Sequence, residues 1–84
     1  MTRDEKLSDR RQRLRSELRN ARRKAGLTQR QVANAMDWSA SKMLRIETGE
    51  VGITPIDLRA LLACYDVRDE RRTEELVNLV RGTG

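Results

Sequence analysis

Hydrophobic residues along this chain recur at helical spacing, three and four positions apart, and no stretch keeps the alternation of a strand. The clearest stripe is formed by Leu58, Leu61, Leu62 and Tyr65, which share one face of a predicted helix. The pattern predicts an all-α fold of five helices, over residues 8–25, 29–36, 40–48, 55–65 and 69–81.

The length of 84 residues predicts a single small domain, in which each apolar position matters to stability. With one Trp, one Tyr and no Phe, the core must be built from aliphatic side chains. We expect the domain to span 8–81, between a frayed polar N-terminus (1–7) and a flexible end (82–84).

Two of the predicted helices lie almost end to end, and both begin with the same signal. Thr28 is a hydroxyl N-cap that can accept the backbone N–H of Gln31, whose side chain can reach back to the cap. Ser39 caps the next helix, and the two-residue link before it contains Asp37, which tolerates positive φ. Two short helices joined by such a turn form a helix-turn-helix, over 29–48.

The two faces of the third predicted helix differ in composition. Met43 and Ile46 mark the buried side. The outer side has small residues near the N-terminus of the helix and long cationic residues after them. A surface helix selected only for solubility more often carries a mixture of Glu and Lys. The outer set is Ala40, Ser41, Lys42, Leu44 and Arg45.

Charge is distributed unevenly along the chain, whose formal net charge is +5. Residues 1–24 carry ten Lys or Arg against four Asp or Glu, whereas the remaining sixty carry eight against nine. The basic first helix has its apolar stripe at Leu14, Leu18, Ala21 and Ala25. From charge alone, an anion-binding face and a solvated basic helix without a partner are equally good interpretations.

Several function classes are disfavoured by what the sequence lacks. Cys64 is the only cysteine, so no internal disulfide can form, and we interpret it as a small hydrophobe. Without His there is no zinc site, and no cofactor is expected. Neither a membrane span nor a signal peptide is visible, so a cytoplasmic protein is expected. No catalytic constellation is present, and we do not expect an enzyme.

The segment 29–48 resembles the Cro/phage-repressor (XRE-type) helix-turn-helix family. The match rests on five places of the family pattern. The fifth place has a small residue, Ala33, and the ninth has a turn residue, Asp37. The fourth, fifteenth and eighteenth places have aliphatic residues: Val32, Met43 and Ile46. The phrases AGLTQ, WSASKMLRIETG and DLRALLACYDV resemble the actinobacterial branch of the family. The resemblance covers 14–81 and implies a five-helix, lambda-repressor-like domain that binds double-stranded DNA, usually as a dimer on two-fold operators.

The resemblance also implies roles for individual residues. The third helix would enter the major groove, with Ala40, Ser41 and Arg45 at base-reading positions. The residues at phosphate-contacting positions are Gln29, Ser39 and Lys42. Arg22 and Glu47 would form an ion pair between the first and third helices.

The sequence departs from the family at three positions. Asp37 replaces a turn glycine, Ala40 stands where this branch often has Pro, and Leu44 stands where it often has a polar residue. Leu44 is either an exposed leucine or a contact to a thymine methyl, and Lys42 is either a phosphate contact or simply exposed. Arg is the commonest specific reader of guanine, which favours Arg45 as the main base contact.

We therefore expect a sequence-specific DNA-binding transcriptional regulator that acts as a homodimer in the bacterial cytoplasm. An apolar excess on the fifth helix is the candidate dimer surface: Leu76, Val77, Leu79 and Val80. The alternative is an antitoxin-like or adaptor protein that uses the same fold to bind a protein partner. It would use the apolar surface of the fifth helix and an acidic group: Asp66, Asp69, Glu70, Glu74 and Glu75. The chain is either the excised N-terminal domain of a longer regulator or a stand-alone regulator, and the lack of any feature suited to an effector favours the excised domain.

Overall fold

A computed structural model of this protein describes the backbone of residues 3–81 and the side chains of residues 9–81. This part of the chain contains no strand, and none of its helices is long and apolar enough to cross a bilayer. The five helices are α1 (Arg3–Lys24), α2 (Gln29–Met36), α3 (Ala40–Thr48), α4 (Pro55–Cys64) and α5 (Glu70–Arg81). The predicted all-α fold is confirmed. The predicted flexible end and the first two residues of the predicted frayed N-terminus lie outside the described residues.

Four helix boundaries differ from the prediction: both ends of α1, the end of α4 and the start of α5. α1 begins at Arg3 rather than at Ser8, because charged helix formers extend the helix beyond the apolar stripe from which its start was inferred. Ala25 lies in the turn after α1 and is exposed, so it does not belong to that stripe. Asp69 precedes α5 as a cap, and its Oδ1 accepts two backbone N–H groups of the first turn at 3.0 and 3.4 Å.

The start signals of the central helices form as the sequence predicts. Thr28 Oγ1 accepts the N–H of Gln31 at 3.1 Å, and the Gln31 side chain accepts the N–H of Thr28 at 2.9 Å, which completes a capping box. Ser39 and Thr54 cap α3 and α4 in the same way, through bonds of 3.0 and 3.1 Å. These caps satisfy N–H groups that have no partner within their own helix.

The turn between α2 and α3 is made at Asp37, which adopts a left-handed conformation with φ 59° and ψ 40°. The next residue, Trp38, donates its N–H to the carbonyl of Ala33 at 2.8 Å and so closes the end of α2. The predicted tight turn is therefore present, with aspartate in a conformation that glycine adopts more readily.

A single core joins all five helices. α2 packs against α3, α1 packs against α3 and α5, and α4 packs against α2 and α5. The buried cluster consists of Leu18, Ala21, Val32, Ala33, Met43, Leu58, Leu61, Leu62, Tyr65, Leu76 and Val77. Because α3 rests on α1 and α2 through its buried face, its opposite face is left on the surface.

The candidate dimer surface on α5 is wrong for two of its four residues. Leu76 and Val77 belong to the core and are 3% and 0% exposed, because α5 is covered by both α1 and α4. Leu79 and Val80 are half-buried and pack against the rim of the same core. The apolar excess on α5 is thus mostly explained by packing within the domain.

Candidate nucleic-acid interface

The outer face of α3 presents the residues that the sequence assigned to base reading. Ala40, Ser41 and Arg45 are all exposed, whereas Met43 and Ile46 are buried on the opposite side. The side chain of Arg45 is 58% exposed. With Lys42 and Leu44 also exposed, this face has small side chains at its N-terminal end and a long guanidinium one turn further on.

A buried ion pair ties this helix to α1. Arg22 Nε donates to Glu47 Oε2 at 2.6 Å, and Arg22 Nη2 donates to Glu47 Oε1 at 3.2 Å. The Glu47 side chain is 1% exposed and that of Arg22 is 12% exposed. Arg22 Nη1 also donates to the carbonyl of Leu27 at 2.9 Å, in the segment that leads into α2. This forked, charge-assisted contact holds α3 in a fixed orientation against α1.

Gln29 also binds the carboxylate of Glu47. Its Nε2 donates to Glu47 Oε1 at 3.0 Å, so the first residue of α2 is bonded to the inner side of α3. An amide nitrogen has two N–H groups, and this bond uses one of them. The other remains available at the N-terminus of α2, where backbone N–H groups favour an anion.

Ser39 and Lys42 lie together at the start of α3. Ser39 Oγ accepts the N–H of Lys42, which leaves the hydroxyl hydrogen of Ser39 available for donation. The ammonium of Lys42 lies 4.5 Å from the centre of the Trp38 ring, a cation–π contact that restrains a flexible side chain. The structure thus brings two of the predicted phosphate-contacting residues, Ser39 and Lys42, to one end of α3.

Arg45 has a weak partner at the other end of the helix. Its Nε lies 4.0 Å from Glu50 Oε2, and the two side chains are 58% and 69% exposed. Such an exposed pair contributes about 0–1 kcal/mol, so Arg45 can leave Glu50 readily for another anion.

Tyr65 lies behind the interface with its hydroxyl buried and without a hydrogen-bond partner among the described residues. Burial raises the pKa of this phenol, and the negative charge of Glu47 raises the same pKa further. Tyr65 therefore stays protonated and neutral beside the buried ion pair.

The acidic residues named for the alternative function are mostly bonded within the chain. Arg59 pairs with both Glu70 and Glu74, and this contact lowers the pKa of Glu74. Arg68 Nε lies 2.6 Å from Asp66 Oδ1. Asp69 is used as the cap of α5, so Glu75 is the one member of the group without such a contact in the described part of the chain. The arginines at these contacts therefore offset part of the negative charge of this surface.

Sequence reasoning missed three contacts of this interface. The pair Lys42–Trp38 is four residues apart on the chain, a spacing that could have signalled it. The bond from Gln29 to Glu47 joins residues eighteen apart and depends on how α2 meets α3, which no local pattern encodes. The guanidinium of Arg15 occupies the space that a side chain at Gly49 would need, and this contact is equally invisible in the sequence.

Comparison with known families agrees with this geometry. The sequence model of a family described as a helix-turn-helix domain matches residues 13–76, which include all of α2, α3 and α4. The chain belongs to that family. The family is typical of XRE-type regulators, and the resemblance stated from the sequence is confirmed at this level. No curated protein and no solved structure matches the chain. In this helix-turn-helix domain, α2 and α3 are the two helices of the motif, and DNA is the partner that the family implies.

Proposed function

We propose that this helix-turn-helix domain is a sequence-specific transcriptional regulator that reads an operator with α3 in the major groove of double-stranded DNA. Ala40, Ser41 and Arg45 would contact base edges. The phosphate contacts would come from Gln29, Ser39 and Lys42. It would act in the bacterial cytoplasm, where the DNA is.

The observation that carries this proposal is the composition of the exposed face of α3. A recognition helix needs small side chains where it approaches the bases closely and a long donor where it spans the groove. Ala40 and Ser41 supply the former, and the exposed guanidinium of Arg45 supplies the latter. The buried pair between Arg22 and Glu47 holds this face rigid, which favours base reading over loose electrostatic attraction.

The proposed phosphate contacts would set the register of α3. Gln29 and Ser39 lie at the N-termini of α2 and α3, where orphan N–H groups favour phosphate oxygens. Lys42 is held by Trp38 at the same end of α3. Contacts of this kind orient a protein on DNA without reading sequence.

We further propose that two copies bind a two-fold operator. A dimer of this kind places its two recognition helices about 34 Å apart, one turn of DNA. The half-buried edge of α5 at Leu79 and Val80 is the part of the original candidate dimer surface that remains for this role.

Selection of duplexes from a random pool tests the base-reading role of Arg45. The wild type should select a palindromic consensus. Arg45→Ala should relax one position in each half-site and lose about 1–3 kcal/mol of binding free energy at the selected sequence. The matched control is Arg71→Ala, which removes the same charge from an exposed site on α5.

The control should leave the consensus unchanged and weaken binding only slightly. An Arg45→Ala protein that selects the same bases as the wild type would contradict the assignment of Arg45. Binding by the wild type that is blind to sequence would contradict the proposed function itself.

A further inference from the structure

The C-terminal end of α3 has no cation in the segment that follows it. Residues 49–54 contain one charged side chain, Glu50, and its charge is negative. A helix in the major groove is flanked by phosphates of both strands, and contacts from both sides fix its position. The proposed contacts at Gln29, Ser39 and Lys42 serve the helix N-termini, so the opposite flank needs cations from another element.

We propose that Arg11, Arg15 and Arg19 form this second phosphate-binding site, a row along α1 that contacts the DNA backbone beside the C-terminal end of α3. The inference rests on the proposed function and extends it. The three residues, here called the arginine row, are spaced four apart and therefore lie on one face of α1.

The arginine row borders α3 and the segment after it. Arg19 Nη2 lies 3.5 Å from the backbone carbonyl of Glu47, and the guanidinium of Arg15 covers Gly49. Arg11 and Arg15 line one side of an open cavity of about 410 Å³, and residues 49–53 line the other. All three side chains thus lie beside residues 47–53, the end of α3 and the segment that follows it.

The charges of the arginine row are not neutralised within the described part of the chain. Arg11 and Arg15 have no ion pair there, and Arg19 lies 4.0 Å from a Glu47 carboxylate that Arg22 already holds at 2.6 Å. Glu17, an acidic residue of the same helix, pairs instead with Arg72 of α5 at 2.6 Å and so does not neutralise the row.

The chemistry of the row suits a phosphodiester backbone. Guanidinium groups bind phosphate oxygens through two N–H groups at once, and a row repeated along a helix can follow successive phosphates. Glu50 is the one carboxylate among the residues that line this cavity, and it lies 4.0 Å from Arg45. Since that pair is exposed and weak, Glu50 can turn away from an approaching backbone.

The test compares two variants that remove the same charge from the same helix. Arg11→Gln/Arg15→Gln alters the arginine row. Arg10→Gln/Arg13→Gln is the control, because Arg10 and Arg13 lie on another side of α1, next to Asn78 and Leu79 of α5. The apparent binding constant is measured for a fixed duplex across a series of salt concentrations, and each variant also undergoes duplex selection.

The slope of log K against log salt should fall in magnitude by about 0.9 for each lost contact, which is about 1.8 for each bound copy of the row variant and about 3.6 for a bound dimer, and by much less for the control. The row variant should still select the wild-type consensus, because phosphate contacts carry no base information. Arg11→Gln alone keeps Arg15 over Gly49 and should lower the slope by about 0.9 for each bound copy, so this single variant tests the proposal if the double variant is unstable.

An equal decrease of the salt slope in the two double variants would overturn the proposal. The decrease would then follow from the lower net charge alone and not from the position of the arginines. An unchanged slope in the row variant would also overturn it and would direct attention to an acidic protein as the ligand of the row. A wild type that binds duplex without selecting a sequence would contradict the proposed function, yet the slopes would still decide the role of the row. A wild type that does not bind DNA would overturn both proposals.

Discussion

The buried carboxylate of Glu47 receives hydrogen bonds from two other helices, through Arg22 of α1 and Gln29 of α2. Its own helix is α3, so one side chain joins the three helices that carry the candidate interface. Removal of a buried charge from water is unfavourable unless its lone pairs are satisfied, and here three N–H groups satisfy them.

Arg22→Ala should destabilise the domain by about 3–5 kcal/mol, because it leaves the Glu47 carboxylate buried without its main partner. Urea unfolding followed by circular dichroism measures this loss. Arg72→Ala is the control, since its pair with Glu17 is partly exposed and its removal should change the unfolding free energy by about 0–1 kcal/mol.

Replacement of both partners by apolar residues, Arg22→Met/Glu47→Leu, should recover much of the loss, because no buried charge remains. If Arg22→Ala is as stable as the Arg72→Ala control, the pair does not hold α3 in the way described.

Among the elements, the turn between α2 and α3 is the place where a single conformation decides the geometry of the motif. Asp37 adopts φ 59°, a region in which residues with a Cβ are strained and aspartate is tolerated better than most. Glycine is free of that strain but loses more conformational entropy on folding.

Asp37→Ala should therefore unfold about 1 kcal/mol more readily than Asp37→Gly, because alanine keeps the strain of positive φ that glycine relieves. Thermal or urea unfolding of the two variants gives the difference directly. The control is Ala35→Gly, at an exposed helical site in α2, where glycine should be the less stable residue. Equal stability of the two Asp37 variants would show that the turn relaxes.

The elements that sequence reasoning predicted correctly are those with local signals. Thr28, Ser39 and Thr54 each bond to a backbone N–H three residues ahead, so their caps depend on nothing outside the helix. The early start of α1 was missed because polar helix formers continue a helix without leaving an apolar pattern. Of the network around Glu47, only the pair with Arg22 could be anticipated, through the family resemblance, because the members of the network are distant in sequence.

At the scale of the whole molecule, the sequence pattern predicts incorrectly what covers the apolar residues of α5. Apolar residues in a helix show that it is covered, but they do not show by what. Leu76 and Val77 are buried in the core that α5 shares with α1 and α4, whereas the sequence pattern predicts their contact with a second copy of the chain. The same count of apolar residues would be expected in either case, so only the packed structure distinguishes them.

If the remaining edge of α5 forms the dimer contact, Leu79→Glu should weaken dimerisation at least about tenfold, which corresponds to about 1.4 kcal/mol. A charge placed in an apolar contact loses its hydration without gaining a partner. Analytical ultracentrifugation in the presence of operator duplex measures the effect, and circular dichroism verifies the fold. Asn78→Glu adds the same charge at an exposed neighbouring site and should leave association unchanged. Similar sedimentation of Leu79→Glu and wild type would contradict this interface.

The contact between Arg45 and Glu50 has a consequence for how the protein would search a genome. At the proposed operator, Arg45 must leave Glu50 before it can fork onto a base, and release of so exposed a pair costs about 0–1 kcal/mol. A correct guanine contact contributes about 1–3 kcal/mol and exceeds this cost, whereas a mismatched base does not. Arg45 is therefore paired with Glu50 for a larger fraction of the time at wrong sites than at the operator, which shortens the residence time at wrong sites. An acidic residue beside the reading helix, which weakens binding to DNA in general, would in this way speed the search for the right sequence.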